Sequence, residues 1–286
     1  MESSVTILFF GDLIGNPGCE LMRTYVPQLR EKYGADLVIV NGENSAFDGR
    51  GITPAAVSVL KESGVDLITT GNHVWSKKEG TQLFAGGMSA TDPLILRPAN
   101  FPTSCPGTGV ALVTTGNGVN VGVINIQGRV FMRELLSCPF READDALTSL
   151  LKRTSCVFVD FHAEASSEKL GMGYYLDGRV SVVAGTHTHI QTADERILPG
   201  GTAYITDVGM CGALNSMIGV KKEIVLQNML TQMPVKFAVE TEPPFVINGV
   251  VVKIDAQTGK ARSIERVYLV QEGKVVYSES KITSKA

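Results

Sequence analysis

The first 75 residues repeat one pattern three times: a short run of β-branched and other apolar residues that ends in a small polar cluster. Residues 5–10 run into Gly11-Asp12, residues 37–40 into Asn41-Gly42-Glu43-Asn44, and residues 67–70 into Gly71-Asn72-His73. Between these runs, residues 19–33 and 54–63 carry apolar side chains at helical intervals, and Pro54 suits a first helical turn. Strands alternating with helices at this pitch predict βαβ units and a parallel sheet.

The pattern then changes. Residues 110–115 and 119–126 flank Gly116-Asn117-Gly118, which predicts a hairpin. A helical stretch over 141–152 leads to a strand over 156–160 followed by His162. A second, over 166–176, leads to a strand over 180–184 and then Gly185-Thr186-His187-Thr188-His189. In the last third, residues 202–206, 246–254 and 262–270 have the character of antiparallel strands, with a helix over 221–230 among them. Parallel units followed by antiparallel strands predict two sheets packed together with helices outside. With no repeat, linker or low-complexity block, residues 1–286 are expected to form one domain.

Composition narrows the function classes. Apolar residues make up 44% of the chain and charged residues 19%, which is globular rather than disordered. The net charge is −3, and the only Lys-Lys pairs are Lys77-Lys78 and Lys221-Lys222. A protein that works along polynucleotide backbones shows a basic patch, and none is apparent here. The five cysteines are odd in number, widely spaced and without a C-x-x-C pair, as expected of free thiols in a reducing compartment. The N-terminus lacks the basic start of a signal peptide, and no apolar run approaches the roughly 20 residues that span a bilayer. A cytoplasmic protein without membrane partners is the expectation.

The chemistry sits at the strand ends. All four histidines (His73, His162, His187 and His189) follow predicted strands directly, and Asp12, Glu43, Asn44 and Asn72 occupy similar positions. Turns at the carboxyl ends of strands converge on one crevice in open α/β sheets. Asp, Glu, Asn and His without Cys supply oxygen and imidazole donors suited to Mn, Fe or Zn. If the chain stays extended past the strand, His187 and His189 project to one side. Each cluster alone could be only a turn. Together, and with His73 set aside, seven donors exceed what one ion with an open position needs, and two ions sharing a carboxylate use them more naturally.

The series Gly11-Asp12, Asn41-Gly42-Glu43-Asn44, Gly71-Asn72-His73, His162 and Gly185-Thr186-His187-Thr188-His189 resembles the calcineurin-like metallophosphoesterases. More closely, it resembles their YmdB-like branch, bacterial enzymes that hydrolyse cyclic nucleotides, notably 2′,3′-cyclic ones. Residues 159–164, 191–197 and 207–210 extend the match, so that it covers nearly the whole chain. Two positions depart from the wider superfamily: Ile14 stands where a histidine is usual, and Glu43-Asn44 where an aspartate is usual. Both departures are those of the YmdB-like branch.

This resemblance implies a four-layer α-β-β-α sandwich, two mixed sheets packed together with helices on the outer faces. It implies one metal held by Asp12, Glu43, Asn44 and His189, and another by Glu43, Asn72, His162 and His187, with Glu43 bridging. It also implies hydrolysis of a small phosphodiester. Two ions about 3.5–4 Å apart can share a hydroxide that attacks phosphorus, and His73, next to a ligand, is the candidate general acid. Three alternatives are a broader phosphomonoesterase, an RNA-processing nuclease, and a metal-binding regulator with little turnover. Arg129 is a weaker candidate for a phosphate contact, Glu164 and Asp207 for partners of the imidazoles, and residues 209–212 for a mobile cover. Trp75 is expected to pack rather than stack on a base. Family members tend to self-associate, so a homo-oligomer is expected.

Overall fold

The computed structural model describes residues 4–85 and 94–273. The chain opens with β1 (Ser4–Leu13), α1 (Gly15–Tyr33), β2 (Leu37–Asn41), α2 (Pro54–Glu62), β3 (Leu67–Thr69), α3 (Lys78–Leu83) and β4 (Leu94–Ile95). The middle contains β5 (Val110–Thr114), β6 (Asn120–Gln127), α4 (Pro139–Leu150), β7 (Cys156–His162), α5 (Ser166–Leu176) and β8 (Val182–Thr186). It closes with β9 (Arg196–Ile197), β10 (Ala203–Ile205), β11 (Met210–Ala213), α6 (Lys222–Thr231), β12 (Phe245–Asp255) and β13 (Ala261–Gln271).

Local chemistry sets the boundaries. Thr53 caps α2 by accepting a hydrogen bond from the Ala56 N–H at 3.2 Å, and Pro54 follows it in the first turn, where its missing N–H costs nothing. Gly34 ends α1 in the left-handed conformation, with its N–H on the carbonyls of the last turn.

The elements form two sheets, ordered β13-β12-β11-β1-β2-β3-β4 and β5-β6-β7-β8-β10-β9. Three apolar cores separate four layers. Leu8 and Phe10 of β1 pack with Leu21 and Met22 of α1 and Leu60 of α2, whereas Ile7 and Phe9 face Phe158 of β7 and Val182 of β8. Beyond the second sheet, Val159 and Phe161 of β7 meet Leu147 of α4 and Met172 of α5. Side chains alternate along each strand, and the central strands β1, β2, β7 and β8 are covered on both faces, whereas β13 leaves one face largely exposed. The central strands therefore read as continuous apolar runs, as expected of buried sheets.

Most predicted elements are present within a few residues, and the hairpin over Gly116–Gly118 joins antiparallel β5 and β6. Four expectations need correction. β1 does not end before Asp12. It pairs with antiparallel β12 as far as Phe10, slips register against β2 at Gly11, and then pairs with parallel β11 at Asp12 and Leu13. Residues 209–212 are no mobile cover: Met210–Ala213 are the buried strand β11, inserted where β1 and β12 part. The expected antiparallel strand over 202–206 is β10, which is antiparallel to β9 on one side but parallel to β8 on the other, in the second sheet. Finally, β8 stops at Thr186, and His187 and His189 have φ of 100° and 67°, so the chain there is not extended. No helix among the described residues is long and apolar enough to cross a membrane.

Candidate metal centre

The carboxyl ends of β1, β2 and β3 in one sheet face those of β7 and β8 in the other. Asp12 and His162 belong to strands; Glu43, Asn44, Asn72, His187 and His189 sit in the turns that follow. Contacts join Asp12, Glu43, Asn72, His162, His187 and His189 across the two sheets, and Asn44 lines the same cavity as His189.

Glycine makes the approach possible. A Cβ on Gly11 would lie 1.8 Å from the Gly209 carbonyl, the group that accepts the Asp12 N–H at 3.1 Å. A Cβ on Gly71 would lie 2.2 Å from the His162 ring and 2.3 Å from a Glu43 carboxylate oxygen. The turn carrying Asn72 reaches the centre only because that atom is missing.

Around His162 Nε2, three electron-rich atoms crowd together. Glu43 Oε1 lies at 3.1 Å, Asn72 Oδ1 at 3.0 Å and His187 Nδ1 at 3.0 Å from it. One nitrogen can give a proton in one direction only, so this convergence suits a cation better than a hydrogen-bond network. Donor atoms of Glu43, His162 and His187 all fall within 4.8 Å of one another.

A second cluster adjoins it. Asp12 Oδ1 lies 3.9 Å from His189 Nε2, and both Asp12 Oδ1 and Asn44 Oδ1 are buried with no hydrogen-bond partner. Leaving such oxygens unsatisfied costs about 1–3 kcal/mol each, which a bound cation would remove. The oxygen and imidazole donors of Glu43, His162 and His187 fit a metal ion, and the unpartnered oxygens of Asp12 and Asn44 are further donors of the same kind.

Outer contacts aim these atoms. Thr186 gives its hydroxyl proton to Asp160 at 2.7 Å, so His162 Nδ1 donates to Thr186 Oγ1 at 2.9 Å and Nε2 is turned towards the centre. His189 Nδ1 donates to the Ile218 carbonyl at 2.9 Å, and the Asn44 amide nitrogen donates to the Gly49 carbonyl at 2.8 Å. Each contact leaves the opposite atom free. Asp207 touches no imidazole; it accepts from the Thr188 N–H at 3.0 Å and the Thr188 hydroxyl at 2.7 Å, gripping the residue between the two histidines. Lys169, buried in α5, pairs with Asp207 at 2.5 Å. Glu164 does reach an imidazole, at 3.1 Å from His187 Nε2.

The electrostatics follow from burial and charge. Burial pushes Glu43 up, but the His162 imidazole beside it more than offsets this and holds the carboxyl at about 2. Burial alone would lower His162; Glu43, Asp12 and Asp160 outweigh it and raise it to about 9. Burial, reinforced by His162, depresses His187 to about 3. Burial likewise pushes Asp160 up to about 6 and raises Asp12. A field that holds a proton this firmly on His162 would favour a metal cation in the same place.

His73 donates its backbone N–H to Glu43 Oε2 at 3.1 Å, and its ring lines a cavity of about 230 Å³ beside Asn44 and His189. The minor candidates separate. Arg129 is exposed, with its backbone N–H on Glu168 at 3.0 Å, and it does not line this cavity. Trp75 packs edge-on against Phe84 and Phe101. Lys169, Asp160 and Thr186 carried no assignment from sequence. For Lys169 the available signal was its place on the same helical stripe as Met172 and Leu176, where a cation needs a buried partner.

Comparison with known proteins shows the family of the chain. The family model described as YmdB-like protein matches residues 8–267. The chain belongs to the YmdB-like family. This YmdB-like protein is 48% identical over 263 residues to a Bacillus subtilis (strain 168) protein named 2′,3′-cyclic-nucleotide 2′-phosphodiesterase, covering 92% of this chain and 96% of the relative. A crystal structure described as a novel phosphatase of Mycoplasma pneumoniae superposes with a TM-score of 0.85 at 35% identity, covering 95% of each chain. The crystal structure of a hypothetical protein from Thermus thermophilus gives a TM-score of 0.85 at 37% identity, covering 93% of this chain and 100% of that one. The four-layer sandwich is the calcineurin-like phosphoesterase fold that the sequence led us to expect.

Proposed function

We propose that this YmdB-like protein is a dinuclear-metal phosphodiesterase acting on cyclic nucleotides, the 2′,3′-cyclic ones above others. The observation that carries it is the meeting of seven oxygen and nitrogen donors, two of them buried oxygens without partners, beside a cavity. The name of the Bacillus relative supports the substrate.

In this proposal Asp12, Glu43, Asn44 and His189 hold one ion, and Glu43, Asn72, His162 and His187 the other. Donors of this kind without sulfur suit Fe, Mn or Zn. Bound there, two such ions would neutralise charge on the phosphoryl group and lower the pKa of water. The protein's own groups do the rest. Thr186 and Asp160 fix the His162 tautomer, the Ile218 carbonyl fixes that of His189, and Asn44 is turned by Gly49. Glu43 accepts the His73 N–H and so ties the candidate acid to the centre.

His73 would protonate the leaving oxygen as its bond to phosphorus breaks. Burial lowers the pKa of its imidazole, and Arg50 adds to that after Glu43 opposes it, so the protein surroundings favour the neutral ring. An anionic phosphodiester beside the ring pushes the other way and lets it take up the proton it must give.

The test is to purify the protein, measure its metal content, and compare 2′,3′-cyclic AMP with 3′,5′-cyclic AMP and a phosphomonoester. The 2′,3′-cyclic ester should be hydrolysed fastest. Bound metal with no turnover of any of the three would overturn the assignment.

A further inference from the structure

The cavity beside the metal centre has two unlike walls, and each is tied to a different candidate ligand. One is the loop from Ala46 to Gly51. It is closed by the Ala46 N–H on the Gly51 carbonyl at 2.9 Å, and its Gly49 carbonyl accepts from the Asn44 amide at 2.8 Å. Gly49 and Gly51, with φ of 78° and 85°, let the chain turn on either side of Arg50. Asp48, in the same wall, is paired with Lys77 at 2.6 Å. Among the described residues the Arg50 guanidinium makes no ion pair, so it stands as uncompensated positive charge over the cleft.

The opposite wall is apolar: Ile218, Val225, Phe237 and Val239, joined by Ile14. It is anchored by the Ile218 carbonyl, which accepts from His189 Nδ1, and by a bridge between Val220 and Val239. A Cβ on Gly49 would come within 2.9 Å of Val239, so the walls meet at their base. Phe237 is 42% and Ile218 50% exposed, large apolar surfaces lining a cleft next to charged groups.

We propose that this cavity is the recognition subsite for the substrate, in which Arg50 takes a non-bridging phosphoryl oxygen and the wall of Ile218, Phe237 and Val239 takes a nucleobase. The assignment rests on the phosphodiesterase proposal and deepens it. Arg50 supplies charge-assisted hydrogen bonds to any phosphodiester, and the wall supplies apolar contact only to one with a flat organic group. Recognition of the phosphate and of the base is thereby divided between two loops, each hydrogen-bonded to a different ligand residue.

The experiment uses the metal-loaded full chain and two substrates, 2′,3′-cyclic AMP and glycerol 1,2-cyclic phosphate, which has the same five-membered phosphodiester ring without a base. Phe237→Ala should lower the ratio of kcat/KM for the nucleotide over the glycerol ester about tenfold, mainly through KM. Phe237→Leu should recover much of that loss. Arg50→Gln should lower kcat/KM for both esters by a similar factor, on the order of tenfold or more, and leave the ratio where it was. Metal content and Tm measured on each variant separate these effects from damage to the fold. An unchanged ratio in Phe237→Ala overturns the base-binding wall, and an Arg50→Gln loss that is absent or confined to one ester overturns the role of Arg50. If the wild type turns over neither ester, the phosphodiesterase proposal fails on its own, and calorimetric binding of AMP decides the cavity. Weaker binding by both variants than by wild type upholds the subsite; equal binding, or none, refutes it.

Discussion

At the residue scale, His73 and Glu43 lie next to each other in space yet have separable jobs. The His73 ring lines the cavity while only its backbone touches Glu43, so His73→Ala removes a proton donor and no ligand. Its metal content should match wild type while kcat falls by about 10²-fold or more, as loss of a general acid does. Loss of an ion from this variant would make His73 a ligand and leave the leaving group without an identified acid. Glu43 is the opposite case. Its two oxygens face His162 and the His73 turn, and in the proposed centre it is the carboxylate shared by both ions. Glu43→Ala should therefore empty both positions in elemental analysis, whereas His189→Ala should empty one. Retention of one full equivalent by Glu43→Ala would show that the carboxylate does not bridge.

At the element scale, the strands that carry the donors were legible because β1, β2, β3, β7 and β8 are buried on both faces and read as dense apolar runs between polar turns. β11 was not. Its four residues, Met210–Ala213, are too short for a periodic signal, and Gly209 and Gly212 suggest a loop. Only the tertiary structure shows that Gly209 must lack a side chain because a Cβ would meet Asn248 and Gln191 within about 3 Å. The left-handed backbone at His187 and His189 was equally hidden, since neither residue advertises it. What holds that segment is a clamp between elements: Lys169 on α5, Asp207 ahead of β11, and Thr188 between the histidines. Lys169→Met would leave the Asp207 carboxylate buried with only neutral donors. It should destabilise the metal-free protein by about 3 kcal/mol, measured as a shift in the urea midpoint, because removing one member of a buried pair strands the other charge. A shift below about 1 kcal/mol would mean that Asp207 is satisfied by Thr188 and Gly209 alone.

At the scale of the whole molecule, two sheets meet at the centre with opposite demands on protons, and this makes stability of the metal-free protein depend on pH. The order of the donors along the chain was readable, but their mutual fields were not, since Glu43 and His162 come from different sheets and 119 residues apart. His162 is raised from 6.5 to about 9, so the folded state holds its proton more tightly than the unfolded chain does. That contribution is fully present below pH 6.5 and is lost as pH rises through about 9. His187 is lowered from 6.5 to about 3, so the unfolded chain binds its proton first, and stability from this group is lost as pH falls from 6.5 towards 3. With the two slopes opposed, metal-free protein should be most stable near pH 6.5 with respect to these histidines. A bound cation replaces the His162 proton, so that group no longer loses stability between pH 6.5 and 9, and metal binding itself tightens as protons leave. The Tm of chelated protein should therefore fall over that interval while the Tm of metal-loaded protein holds or rises. Parallel curves for the two forms from pH 6.5 to 9 would mean that no cation competes with the proton on His162, and the cluster of Glu43, Asn72, His162 and His187 would then have to be excluded as a metal position.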